Sequence, residues 1–128
     1  MMKKYLLDTN ALIRALGHPD ELGGKAREII LGDNDILVSD VSLWEIAIKI
    51  NIGKLDMEGT IPDIEKQCED LDFERLPIKP GHFEVLRTLP LFHRDPFDRL
   101  LISQATVEEL AVISSDGAFP KYGVDVVW

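Results

Sequence analysis

The sequence predicts a single α/β domain with a mostly parallel central sheet, and two observations support this prediction. Short apolar runs that are typical of buried strands alternate along the chain with longer segments whose pattern is helical. This alternation favours parallel strands joined by helical crossovers. The length of 128 residues fits one domain, which we assign to residues 1–128.

The first half of the chain begins with a predicted strand over residues 3–7, and the segment "ALIRAL" then starts a helix. The segment "HPDELGGK" is a break, and a further helix covers about residues 25–31. A second strand is predicted over residues 35–40. The segment "VSLWEIAIKI" over residues 41–50 is apolar on nearly every face and too long for a typical strand. It therefore predicts a buried helix, which Gly53 is suited to end.

The second half of the chain shows clearer signals for where its helices start. The segment "TIPD" begins a helix that carries Cys68, and "FERLPI" is a short strand. The segment "KPGHFEVLRTLP" holds a helix that ends before Pro90. In "DPFDRLLISQATVEEL", Asp95 is placed as the N-cap of a long helix and Pro96 as its first residue. The segments "AVISSD" and "VDVVW" are the last two predicted strands.

Four acidic residues fall near one edge of this predicted sheet. Asp8 closes the first strand and Asp116 closes "AVISSD", and the carboxyl ends of parallel strands share an edge. Glu45 lies in the helix after the second strand, and Asp98 lies in the first turn of the helix that starts near Asp95. Crowded carboxylates repel each other and raise each other's pKa, and a hard divalent cation such as Mg²⁺ or Mn²⁺ relieves this repulsion.

Each acid also has a structural interpretation. Asp8 could cap the helix that follows it, and Glu45 could pair with Lys49 one turn on. Asp116 could be a turn residue before a glycine, and Asp98 could contribute to the start of its helix. Glu45 nevertheless has apolar neighbours on both sides in the helix, which argues against a merely solvated side chain. The convergence of all four acids on one edge of the sheet indicates a shared site more strongly than any one of these residues does alone.

Composition limits the function classes. The net charge of −9 argues against nucleic-acid binding through a broad basic surface, but a metal-loaded acidic pocket can still attract phosphate. The only cysteine is Cys68, so the sequence has no internal disulfide and no cysteine-based zinc site, and a reducing, cytoplasmic location is expected. No apolar run is long enough for a membrane span, and the N-terminal apolar run is too short for a signal peptide.

Competing motifs are weak. The segment "ELGGKA" lacks the glycine and hydroxyl residue of a phosphate-binding loop, since Pro19 and Ala26 stand in those places. Trp44 is interpreted as a core residue, and Trp128 as packing on the sheet or at a subunit contact. The histidines lack zinc-like spacing and are interpreted as structural or surface residues: they are His18, His82 and His93.

Four segments together resemble a known family. The segments "YLLDTNALI", "VSLWEIAIKINIGKL", "HRDPFDRLLISQA" and "VISSDGAF" occur in this order over essentially the whole chain. The chain resembles the PIN domain, in particular the VapC-like toxins of toxin–antitoxin pairs. The resemblance implies an α/β/α sandwich, a Mg²⁺- or Mn²⁺-dependent endoribonuclease activity and a homodimer. It also implies a cognate antitoxin that covers the acidic site, and the charge of that site favours a basic antitoxin segment.

Site residues follow from the resemblance position by position. The implied catalytic and metal-binding residues are Asp8, Glu45, Asp98 and Asp116, with Asn10 and Ser114 in supporting positions. Substrate contacts cannot be assigned from motifs, and the basic residues nearest to them are candidates only: Arg94, Arg99 and Lys121.

Two other classes remain open. A phosphatase-like or phosphoryl-transfer domain could use Asp8 as phosphoryl acceptor. Haloacid-dehalogenase-type enzymes need an acid two residues later, where this chain has Asn10, and a receiver domain would need a late lysine that only Lys121 loosely matches. A non-catalytic binding module could keep the acids for structure. Assays with RNA and with small phosphoesters separate these classes.

Overall fold

The computed structural model describes residues 3–128 and contains one five-stranded sheet in which every pairing is parallel. The strand order is β3-β2-β1-β4-β5. The strands are β1 (Lys4–Leu7), β2 (Asp35–Ser39), β3 (Glu74–Leu76), β4 (Ala111–Ile113) and β5 (Val126–Val127).

Within residues 3–128, six α-helices accompany the sheet, and every predicted helix and strand is found. The helices are α1 (Thr9–Gly17), α2 (Gly24–Leu31), α3 (Asp40–Asn51), α4 (Ile61–Asp70), α5 (Pro80–Arg87) and α6 (Pro96–Glu108). Short 3₁₀ turns cover Pro19–Glu21 and Phe119–Tyr122. Strand β4 is shorter than predicted, because the Ser114 hydroxyl accepts the backbone N–H of Asp116 and the chain turns away from the sheet there.

The helices form layers on both faces of the sheet. Tyr5 and Leu7 of β1 lie in one apolar cluster with side chains of α1, α2 and α4, whereas Leu6 lies in the opposite cluster with side chains of α6. Successive strand residues point to opposite faces, so one buried strand supplies both cores. The predicted α/β/α sandwich is confirmed.

Local signals explain several element ends. Asp8 caps α1 by accepting from Ala11 N at 2.8 Å, and Asp95 caps α6 by accepting from the backbone of Phe97 and Asp98. Thr60 and Asp63 form the capping box that starts α4. Gly53 has a φ of +74°, a left-handed conformation suited to glycine just beyond the end of α3.

The order of the strands reverses beside β1. The chain first adds β2 and β3 on one side of β1 and then crosses to add β4 and β5 on the other side. Leu7 pairs with Ile113 at the carboxyl ends of the two central strands, so the residues that follow them emerge side by side. Such a switch point is where ligand sites form in open parallel sheets.

The two tryptophans have different outcomes. The interpretation of Trp44 as a core residue is wrong: 52 % of the side chain is exposed, and its ring packs edge-on against Phe97 at 4.9 Å between centroids. The apolar run of α3 could not reveal which of its faces points outward. Trp128 packs against the cluster that contains Tyr5, as predicted, and the Arg14 guanidinium lies 5.3 Å from its ring centroid.

Cys68 is a buried free thiol. Between residues 3 and 128, the helices are all too short or too polar to cross a membrane.

Candidate active site

Asp8 lies at the switch point and is almost completely buried, with 4 % of its surface exposed. Its carboxylate accepts the capping bond from Ala11 N at 2.8 Å and lies beside the Ser114 side chain. Burial raises the pKa of Asp8, and the nearby carboxylates of Asp116 and Glu45 add to the rise, while the polar contacts with Ser114 and Ala11 N oppose it. Asp8 therefore both caps α1 and belongs to the acidic site.

Glu45 projects from α3 into the same region and is also 4 % exposed. One carboxylate oxygen, Oε2, pairs with Lys49 Nζ at 2.6 Å, as the structural interpretation predicted, and this hydrogen bond raises the pKa of Lys49. The other oxygen, Oε1, is buried and has no hydrogen-bond partner among residues 3–128. A buried carboxylate oxygen without a partner is costly, so this oxygen would be stabilised by a group that accepts its lone pair.

Asp98 lies in the first turn of α6, close to the capping residue Asp95. Burial, followed by the charges of Asp95 and Asp8, raises the pKa of Asp98 to about 7, and the charge of Glu45 adds to this rise. At neutral pH a substantial fraction of this carboxyl group therefore carries a proton when no cation is bound.

Asp116 follows β4 and is the most exposed of the four acids, with 40 % of its side chain exposed. Its Oδ1 accepts from Ala118 N at 2.9 Å, which is the turn predicted for this residue. Its Oδ2 faces the site and is 2.9 Å from His93 Nε2. The structure thus brings all four predicted acids to one edge of the sheet.

His93 is the residue of this site that sequence reasoning missed. Its Nε2 is 2.9 Å from both Asp98 Oδ2 and Asp116 Oδ2. Ligand atoms of these three residues all lie within 4.8 Å of one another. The available signal was its position two residues before the helix cap Asp95, whose backbone N–H donates to His93 Nδ1 at 3.2 Å and turns the ring toward the acids.

Buried polar contacts fix the helices that carry the acids. The Thr9 hydroxyl donates to Ser42 Oγ at 3.0 Å and joins α1 to α3. The Ser39 hydroxyl, which caps α3, donates to Gln104 Oε1 of α6, and the Gln104 side chain also contacts the His82 ring. Because these side chains are buried, the contacts resist sliding of α1, α3 and α6 and so hold Asp8, Glu45 and Asp98 in register.

His82 is fully buried beside this network, which fits its structural interpretation. Its Nδ1 accepts from Lys79 N at 3.0 Å, so its Nε2–H donates to Glu108, and this hydrogen bond lowers the pKa of Glu108.

The supporting and substrate candidates differ in their surroundings. Ser114 is buried against Asp8, whereas Asn10 is exposed in the first turn of α1. The Arg99 guanidinium donates to the carbonyl oxygens of Leu89, Pro90 and His93, so its polar groups already hold the loop before α6. The other two basic candidates, Arg94 and Lys121, are exposed.

The donor set suits a hard divalent cation. Carboxylate oxygens are the ligands that Mg²⁺ and Mn²⁺ prefer, and the raised pKa values of Asp8 and Asp98 show the electrostatic cost of leaving these acids without a cation. The partnerless Glu45 Oε1 is an independent observation that fits the same group.

The chain is an open parallel α/β protein with an acidic cluster at the switch point of its sheet. Comparison with known proteins identifies its family. The PIN domain family model matches residues 5–125, so the chain belongs to the PIN domain family. PIN domains are generally nucleases and generally use divalent metal ions. A search of curated protein sequences found no match.

Solved structures share the fold at low sequence identity. A chain of the VapBC2 complex from Rickettsia felis bound to a promoter DNA fragment is 17 % identical with a TM-score of 0.69, and the match covers 97 % of each chain. A chain of FitAcB from Neisseria gonorrhoeae is 18 % identical with a TM-score of 0.60, covering 97 % of this chain and 96 % of that one. A chain of a toxin–antitoxin complex from Klebsiella pneumoniae is 16 % identical with a TM-score of 0.62 and the same coverage.

Proposed function

We propose that this protein is a Mg²⁺- or Mn²⁺-dependent endoribonuclease and the toxin of a toxin–antitoxin pair. The observation that supports this most directly is the convergence of Asp8, Glu45, Asp98 and Asp116 at one edge of the sheet, where Glu45 Oε1 is buried without a hydrogen-bond partner among residues 3–128. A metal-dependent phosphoester enzyme needs such a set of carboxylates to hold its cation.

The four acids would hold the cation, with Asp8 and Glu45 as the most buried ligands and Asp98 and Asp116 as the more exposed ones. When bound, the cation supplies a water of lowered pKa and neutralises charge on the phosphate oxygens. Ser114 lowers the pKa of the neighbouring Asp8 carboxyl group and so favours its charged form, and Lys49 balances one oxygen of Glu45. The backbone N–H of Ala118 orients Asp116 in the same way.

The substrate we propose is RNA. With a net charge of −9, the chain cannot attract RNA by overall charge, so the loaded site and a few local cations must do so. The exposed Arg94 and Lys121 are the proposed phosphate contacts. Arg99 is a weaker choice because three carbonyl groups already occupy its N–H donors.

The proposed partner is a small antitoxin whose flexible segment covers the site. Structural neighbours from Rickettsia felis, Neisseria gonorrhoeae and Klebsiella pneumoniae come from VapBC, FitAB and toxin–antitoxin complexes, and this supports the proposal for our chain. A segment that carries Arg suits the acidic cluster because a guanidinium pairs bidentately with carboxylates. We also propose a homodimer, measurable by light scattering, and a cytoplasmic location.

The deciding experiment measures cleavage of a mixed RNA substrate with Mg²⁺, with Mn²⁺ and with excess chelator. We expect cleavage that depends on the cation and that is lost in Asp98→Asn. The matched control is Asp33→Asn, which changes an exposed aspartate in the turn before β2 and should keep wild-type activity.

Two results would contradict the proposal. Hydrolysis of small phosphoesters without RNA cleavage would indicate phosphoryl transfer through Asp8. A folded protein that binds Mn²⁺ but cleaves no RNA with either cation would indicate a binding module.

A further inference from the structure

The His93 ring lies directly between two of the proposed metal ligands. Its Nε2 is 2.9 Å from Asp98 Oδ2 and 2.9 Å from Asp116 Oδ2, and only 17 % of its side chain is exposed. A single nitrogen thus faces two carboxylate oxygens that belong to proposed metal ligands.

The backbone fixes which ring nitrogen carries the proton. Asp95 N donates its hydrogen to His93 Nδ1 at 3.2 Å, so Nδ1 accepts and the proton of the neutral ring is on Nε2. A metal-binding histidine has the opposite arrangement: the coordinating nitrogen has a free lone pair, and the other nitrogen donates its N–H to an acceptor. The His93 ring is therefore arranged as a hydrogen-bond donor toward the acids.

The loop that carries His93 is held in place at its backbone. The His93 N–H donates to the Tyr122 hydroxyl at 2.7 Å, and the His93 carbonyl accepts from Arg99 Nη1 at 3.1 Å. The ring edge also packs against Phe119, with 6.2 Å between centroids. These contacts restrain the ring from swinging away from Asp98 and Asp116.

We propose that His93 is a positioning residue that donates its Nε2–H to Asp116 while it lies against Asp98 Oδ2, and that it is not a metal ligand. The proposal rests on the proposed function, because it takes these two acids as metal-binding groups. In the metal-free protein the Nε2–H stabilises Asp116 by a hydrogen bond and Asp98 by its closeness to Oδ2. A cation would compete with His93 for these two carboxylates, so His93 weakens metal binding while it stabilises the metal-free site.

The first test measures Mn²⁺ affinity from the electron paramagnetic resonance signal of free Mn²⁺, for the wild type, His93→Ala and His93→Gln. We expect His93→Ala to bind Mn²⁺ about tenfold more tightly, the ratio that corresponds to one modest hydrogen bond to a charged group. The metal-free melting temperature of His93→Ala should fall. His93→Gln can place an N–H near the Nε2 position, so its affinity should stay close to that of the wild type.

The outcomes separate this inference from the proposed function. Weaker or unchanged Mn²⁺ binding by His93→Ala would overturn the inference and leave the proposed function intact. If the wild type bound no Mn²⁺, the proposed function and the inference would both be wrong.

A second measurement needs no variant. Nitrogen-15 NMR of the histidine rings of the wild type distinguishes a protonated Nε2 from an unprotonated Nε2. We expect His93 to show the Nε2–H form both without metal and with saturating Mg²⁺. An unprotonated Nε2 in the Mg²⁺ sample would identify His93 as a metal ligand and overturn the inference.

Discussion

Replacing Asp98 with Asn should stabilise the metal-free protein at high pH even though it removes the activity. In the folded protein, burial and neighbouring carboxylates raise the pKa of Asp98 from 3.8 to about 7. The folded chain therefore holds more protons than the unfolded chain between these values. By linkage, the stability of the metal-free protein falls as pH rises through this window.

The size of the effect follows from the two pKa values. The gap between 3.8 and about 7, at about 1.4 kcal/mol per pKa unit, gives a cost of up to about 4 kcal/mol at pH 8 and about 2 kcal/mol at pH 5. Asn is nearly isosteric and cannot ionise, and its side-chain oxygen can still lie beside His93 Nε2. The Asp98→Asn protein should therefore gain most over the wild type at pH 8.

The assay is denaturant unfolding of both proteins in chelator, at pH 5 and at pH 8, with Asp33→Asn as the control. The difference between Asp98→Asn and the wild type cancels the titration of groups common to both proteins. A difference that is equal at the two pH values would refute the reasoning, because it would show that ionised Asp98 is not penalised in the folded protein.

Three further predictions follow from the site and its supports. Saturating Mg²⁺ should raise the melting temperature of the wild type, with about 2.7 kcal/mol gained at one hundred times the dissociation constant. Asp8→Asn should reduce this gain and raise the metal-free melting temperature. If Mg²⁺ did not change the melting temperature of the wild type, the result would count against a metal site shared by the four acids. Gln104→Leu should lower the free energy of unfolding by about 1–3 kcal/mol, since the Ser39 hydroxyl and His82 ring lose a partner; a neutral change would exclude this network as a support. In a complex with the antitoxin, replacing the Arg of the covering segment by Ala should restore RNA cleavage, and association should slow steeply with salt. A bound and fully inhibited Arg variant would show that inhibition acts elsewhere.

The parts of the fold that depend on neighbours in sequence were predictable. Asp95 and Pro96 mark a helix start by local chemistry alone, and the capping bonds of Asp95 are present as expected. The gathering of Asp8 and Asp116 was predictable as well, because a parallel sheet places the ends of its strands at one edge. The catalytic roles of these acids remain a prediction.

The parts that depend on distant packing were not predictable. Trp44 lies in a helix that is apolar nearly all round, and only the arrangement of α3 against its neighbours decides which side chains are exposed. His93 reaches Asp116 across 23 residues of sequence, and no spacing rule joins them. Arg99 resembled a substrate contact because of its position in the motif, but its donors serve the carbonyl groups of the preceding loop.

The way that this loop is held has a consequence for how the protein can diversify. Tyr122 and Arg99 hold the loop through its backbone N–H and carbonyl groups, which every residue type supplies except for the N–H of proline. The side chain of Leu91, which is 70 % exposed, projects from this fixed backbone into solvent. Substitutions at this position can therefore be tolerated, or be randomised in a library, without moving the His93 ring. The loop thus places a replaceable outer side chain two residues away from a ring that is held at its backbone.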